Sequence, residues 1–161
     1  MKTLVLCLGN ELLGDDGVGI LAARKLREEL QGSAAIEETS LSGMALLDFF
    51  IGYQEAIVVD AIQTGRHPPG TVIELGSDDL GDVIAPSPHY AGLPEILRVA
   101  QELNLEFPSK IRVFAIEVTD PFTVGGTLSD QVRAAIGNLV SGVKAQIERW
   151  QREIVHSCGC R

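Results

Sequence analysis

The sequence has little cysteine, a shortage of basic residues and no long apolar run, and each lack excludes something. Its three cysteines fall as Cys7 inside the first apolar stretch and as Cys158 and Cys160 close to the last residue. Neither a disulfide framework nor a paired CxxC zinc knuckle is therefore available, and a reducing compartment fits. Thirteen Lys plus Arg against 22 Asp plus Glu leave a net charge of −9, which argues against a duplex-binding or membrane-surface footprint. Apolar runs such as Ala56 to Val59 fall far short of the roughly 20 residues of a spanning helix. The run Thr3-Leu4-Val5-Leu6-Cys7-Leu8 breaks at Gly9-Asn10 with no small-residue cleavage site after it, so no leader peptide is expected. Nucleic-acid and membrane partners are set aside, and the chain reads as a cytoplasmic monomer.

What is present points to one globular domain. Of 161 residues, 45% are hydrophobic and 22% charged, near average usage and enough for a packed core. Thr3 to Leu8 reads as a strand buried on both faces. After a Gly- and Asp-rich loop, Val18, Leu21, Ala22, Leu26 and Leu30 recur at helical spacing, with Gly32 placed to stop the helix. Ala34 to Thr39 can form a second strand. Ser42-Gly43 opens a short helix carrying Met44, Leu47, Phe50 and Ile51. Ala56 to Asp60 is a third strand, apolar until its final Asp, and Thr71 to Leu75 a fourth. Residues 61 to 70 are too few for a helical crossover, so strands three and four are expected to run antiparallel.

A long loop over 76 to 88 leads to His89. A helical stripe of Ile96, Leu97, Ala100 and Leu103 follows, and then a fifth strand over Ile111 to Glu117. The last helix carries Val132, Ile136, Leu139, Val140, Val143, Ile147 and Trp150 on one face. The expected architecture is an α/β/α sandwich with a mostly parallel, about five-stranded sheet, a single domain over 1–152 and a flexible tail over 153–161.

Chemistry-bearing residues gather where such a sheet places ligands, at the carboxyl ends of its strands. The loop Gly9-Asn10-Glu11-Leu12-Leu13-Gly14-Asp15-Asp16-Gly17-Val18-Gly19 lacks both Gly-x-Gly-x-x-Gly and Gly-x-x-x-x-Gly-Lys. Its two Asp would also repel a phosphate, so nucleotide binding is disfavoured. Acidic groups at a helix entrance are commonly caps, and a strand-end Asp commonly caps a turn. Taken together, however, Asp16 and Asp60 converge if strands one and three are parallel neighbours. With His89 from the loop before the next helix they form an open set of two carboxylates and one imidazole. That set suits a borderline divalent ion such as nickel, zinc or ferrous iron. As a loop ligand, His89 is expected to contribute little to the core. His67 and His156 read as solvent-exposed.

Gly9-Asn10 through Asp15-Asp16-Gly17-x-Gly19, Val58-Val59-Asp60-Ala61, and Ser87-Pro88-His89 with Gly92-Leu93 resemble the hydrogenase maturation endopeptidases. Gly70-Thr71, Glu106-Phe107-Pro108 and the long final helix extend the resemblance over essentially the whole chain. The resemblance implies a nickel-dependent endopeptidase that removes the C-terminal extension of the precursor large subunit of a [NiFe] hydrogenase. Asp16, Asp60 and His89 would be its metal ligands. Some members carry Glu at the first of these positions, and Asp16 is the shorter variant. The nickel would be supplied by the precursor as the recognition element, with another divalent metal able to substitute in the isolated protein. Glu38 is the best match to an acidic residue the family often carries before the Gly of the loop after strand two.

No Ser-His-Asp or Cys-His arrangement is visible, so hydrolysis by activated water is expected. Glu38 and Asp15 are the candidates for an uncoordinated general base. Two other readings use the same residues. A receiver-like phosphoacceptor domain would employ Asp15, Asp16 and Asp60, but needs a Lys after its last strand, whereas Lys110 precedes it. A non-cleaving metal-dependent binding or chaperone module would employ the three ligands and leave the partner uncut. The loops 76 to 88 and 118 to 126 are expected to border the site.

Overall fold

The computed structural model describes residues 2–76, Asp79, His89 and 92–158, with side chains described through Glu153. Among these residues five strands form one sheet: β1 (Thr3–Leu8), β2 (Ala35–Thr39), β3 (Glu55–Ile62), β4 (Val72–Gly76) and β5 (Lys110–Glu117), in the order β2-β1-β3-β5-β4. The pairs β1·β2, β1·β3 and β3·β5 are parallel, and β4 is antiparallel to β5. The helices are α1 (Val18–Leu30), α2 (Leu47–Phe50, entered through a 3-10 turn over Gly43–Leu46), α3 (Leu93–Glu102) and α4 (Asp130–Cys158).

Alternation along the central strands builds two cores. Val5, Cys7, Ile57, Val59, Ala61, Phe114 and Ile116 face α1 and α4. Leu4, Leu6, Leu8, Ala56, Val58, Ile62, Ile111, Val113 and Ala115 face α2 and α3. Burial on both sides explains why β1 and β3 carry near-continuous apolar runs. It also fixes register, because a one-residue slip would exchange the two faces. Edge strand β2 exposes Glu37 and Glu38, charges that discourage pairing with another chain.

Several expectations are refined by this packing. Strand β4 runs opposite to β3, but β5 stands between them, so the antiparallel ladder is β4·β5. Asp60 does not end β3: β5 continues beside it and pairs Asp60 with Ala115, Ala61 with Ile116 and Ile62 with Glu117. The 3-10 entry shifts the phase of the short helix, so Leu46 and Phe50 are buried while Met44 and Ile51 are exposed. Leu103 lies past the end of α3 and is exposed. Helix α4 runs beyond 152 to Cys158, into the stretch expected as a tail. The loop over 77–88, apart from Asp79, lies outside the described residues, as do Gly159 to Arg161 and the side chain of His156. No described helix is long and apolar enough to cross a membrane.

Candidate metal centre

Strand order 2-1-3 places a reversal between β1 and β3: β1 connects through α1 to β2 on one side, while β3 lies on the other. In open α/β sheets the crevice at the carboxyl ends of such a strand pair is where ligands sit. Asp16 and Asp60 come from its two walls. Asp16 lies in a 3-10 turn (Gly14–Gly17) between β1 and α1. The turn is drawn tightly over the strand end. A Cβ on Gly19 would stand 1.9 Å from the Leu8 carbonyl oxygen, and one on Gly9 would stand 2.3 Å from that of Asp16. Side chains at either position would push the loop off the sheet. Asp60 sits on β3 just beyond the β1·β3 ladder, which stops at Cys7 with Val59.

The structure brings Asp16, Asp60 and His89 together. One ligand atom from each lies within 4.8 Å of the others, and all three residues are buried. Asp16 and Asp60 are 0% exposed and His89 only 6%, so His89 is an integrated part of the packed interior and not the loosely attached loop ligand expected. Its Nε2 lies 3.0 Å from Asp16 Oδ2, and its Nδ1 lies 3.2 Å from the Leu41 carbonyl oxygen. Asp60 Oδ1 accepts the N–H of Ala61 at 2.8 Å. Asp16 Oδ1 is buried and has no hydrogen-bond partner among the described residues. Such an orphaned acceptor is costly unless something positive or donating occupies the space beside it. Two carboxylate oxygens and an imidazole nitrogen converging on that space fit a borderline divalent cation.

Electrostatics bind the three groups even without an ion. Burial disfavours the charged form of His89. Its hydrogen bond to Asp16, the fields of Asp60 and Asp16, and its bond to Leu41 together outweigh that effect and raise its pKa above the ordinary imidazole value. The carboxylate pair thus favours the protonated imidazole, and a metal entering here competes with that proton.

The two secondary candidates are not brought to the cluster. Asp15 points away, and its Oδ1 accepts the N–H of Ser129 at 2.7 Å, just ahead of α4. It therefore caps a helix distant in sequence instead of the one it precedes, and complements that helix's dipole. Glu38 pairs with Arg27 at 2.8 Å on the exposed edge. It faces an open depression of about 480 Å3, lined also by Gly9, Asn10, Leu12 and Ile20. Another buried carboxylate at this edge, Glu117, is engaged on both oxygens by Thr64 and Gly65. Burial pushes the Cys7 thiol up to about 12, so it is no nucleophile near neutral pH. His67 is exposed, as expected. Lys110 opens β5 at the opposite edge and pairs with Glu153, so it cannot serve a phosphoacceptor at Asp60. The sequence reading missed the Leu41 carbonyl that holds His89. No side-chain pattern signals a backbone acceptor of this kind.

Fold and site together define an α/β protein with a buried acidic and histidine cluster at the switch point of its sheet. The family model described as hydrogenase maturation protease matches residues 21–146. The chain belongs to that family. It is 27% identical to the hydrogenase 2 maturation protease of Escherichia coli, an alignment covering 97% of this chain and 99% of that one. Among solved structures, the hydrogenase maturating endopeptidase of Escherichia coli superposes with a TM-score of 0.79 at 27% identity, covering 92% of this chain and 93% of the other. A [NiFe] hydrogenase maturation protease from Thermococcus kodakarensis gives 0.76 at 26%, covering 91% and 99%.

Proposed function

We propose that this protein is the endopeptidase that removes the C-terminal extension of a nickel-loaded [NiFe] hydrogenase large-subunit precursor, with Asp16, Asp60 and His89 as ligands to nickel carried by that precursor. The observation that supports this most directly is the buried two-carboxylate, one-imidazole cluster with its orphaned Asp16 oxygen. It sits in a chain of the maturation protease family. Three protein ligands leave coordination positions for the precursor's own groups, as in open catalytic sites. Nickel is then part of the substrate, and an unloaded precursor has nothing to complete the cluster.

The chain's own residues bind and orient. Asp16 and Asp60 supply anionic oxygens from fixed backbone, and His89 releases its Nε2 proton to ligate while Leu41 holds the ring from behind. Holding the precursor beside the crevice aligns one peptide bond for attack by water, an advantage of position. The bound ion would supply Lewis-acid polarisation of the adjacent carbonyl. With Cys7 buried and protonated, no covalent acyl intermediate is invoked. The reaction belongs in the cytoplasm, with the precursor as partner and the protease acting as a monomer.

Intact mass of a nickel-loaded precursor, before and after incubation, tests this reading alongside the same precursor without nickel. A peptide-sized loss restricted to the loaded sample is expected. An unchanged mass in both, together with a stable complex, would instead identify a non-cleaving binder.

A further inference from the structure

The imidazole of His89 is held from behind by a backbone group, and the segment that supplies this group rests on a contact between two glycines. Nδ1 of His89 lies 3.2 Å from the Leu41 carbonyl oxygen. A carbonyl only accepts, so Nδ1 carries a proton and donates it, and Nε2 is the nitrogen turned toward the carboxylates. Leu41 lies between β2 and the 3-10 turn that begins at Gly43. Its own N–H is bound to Thr39 Oγ1 at 3.1 Å.

Two residues beyond Leu41, a Cβ built on Gly92 would stand 2.8 Å from Gly43 Cα, 3.4 Å from its carbonyl carbon and 3.7 Å from its nitrogen. The backbones at 43 and 92 therefore touch, and they can do so only because residue 92 has no side chain. A methyl on Gly43 itself would meet nothing within 4 Å, so the steric demand falls on Gly92. Ordinary carbon contacts begin near 3.5 Å, so a methyl at 92 forces the seam open by roughly 0.7 Å. The same opening between Leu41 and His89 would take a 3.2 Å bond out of hydrogen-bond range.

We propose that Gly92 is a positioning residue for His89: its bare backbone seats the start of α3 on Gly43, which keeps the Leu41 carbonyl on Nδ1 and aims Nε2 at Asp16 and Asp60. The consequence for metal binding rests on the function proposed above, whereas the geometric claim does not. Partners behind a ligating histidine fix its tautomer and ring orientation, and losing one commonly costs ten- to a hundred-fold in metal affinity.

The test uses the full chain. In the metal-free protein, the ring N–H of His89 should give a slowly exchanging proton resonance, assigned by its absence in His89→Ala. An α-proton contact between Gly43 and Gly92 should accompany it. Gly92→Ala should lose the resonance and bind cobalt(II), followed by its visible absorption, at least tenfold more weakly. In a His89→Ala background the same change should cost nothing further, since Gly92 acts through that ring. Gly137→Ala, whose methyl would meet only Lys25 Nζ at 3.8 Å, should leave both signals unchanged. Retention of the resonance and of cobalt affinity in Gly92→Ala would overturn the proposal. So would absence of the α-proton contact in the unmodified protein, a reading that needs no variant to fold. If contact and resonance behave as expected but the unmodified protein binds no cobalt, positioning stands and the metal reading falls.

Discussion

Replacing His89 with Ala removes an imidazole whose protonated form is favoured from beside a pair of buried carboxylates. Asp16 and Asp60 are both 0% exposed, and their nearest ligand oxygens lie within 4.8 Å. Two unit charges at that distance repel by about 3 kcal/mol at an effective dielectric of ~20. In a chain of this length that is a fall in Tm of roughly 6–12 °C. A cavity at position 89 would also destabilise, and a second change separates the two causes. His89→Ala/Asp60→Asn removes the repulsion, keeps an oxygen for the Ala61 N–H and leaves the cavity. Urea unfolding of the metal-free proteins at pH 7.5 is the assay. The double variant should be more stable than His89→Ala at pH 7.5. If it is equally or less stable, the reasoning from paired buried charge is wrong.

The raised pKa of His89 fixes the sign of two further pH effects. Its stabilisation of the metal-free protein is fully present below the ordinary imidazole value near 6.5 and is lost as pH rises through the folded-state pKa. Nickel affinity, read by calorimetry, should climb over that same window as the competing proton leaves. Asp15→Ala should cost about 1 kcal/mol through loss of a helix cap while leaving cobalt affinity within a factor of two, checked by unfolding and visible titration. Cys7, with its thiol pushed up to about 12, should resist alkylation at pH 8 in the folded protein, as peptide mapping would show, and Cys7→Ala should process precursor at the normal rate.

What could be read from residues alone follows the range of the interaction concerned. Strand β1 was legible to the residue because burial on both faces writes an unbroken apolar run. The stripe Val132, Ile136, Leu139, Val140, Val143, Ile147 and Trp150 was equally plain, and all seven are buried. Asp16, Asp60 and His89 stood out by their place relative to strands, and their convergence followed from the β1·β3 pairing. Harder features depended on distant partners. Where β3 stops is set by how far β5 extends beside it, and β4 bypasses β3 for a strand that comes later in the chain. Asp15 meets Ser129 across most of the sequence. The short helix lost its expected phase because a 3-10 turn advances side chains by a different angle than an α-turn. The substrate class was never in the spacing; it came from the family resemblance.

Helix α4 has a use that follows from its length. Its 29 residues span about 43 Å at 1.5 Å per residue, whereas the eight of β5 cover about 27 Å. The helix begins beside Asp15 at the crevice edge, and Trp150 and Glu153 line a cavity with Ser109 and Lys110 at the opposite edge. Exposed Gln151 and Arg152 therefore stand at the far pole of the molecule from the cluster. A dye or surface tether fixed there leaves the crevice unobstructed, so binding at the cluster can be followed from a handle at the other end of α4.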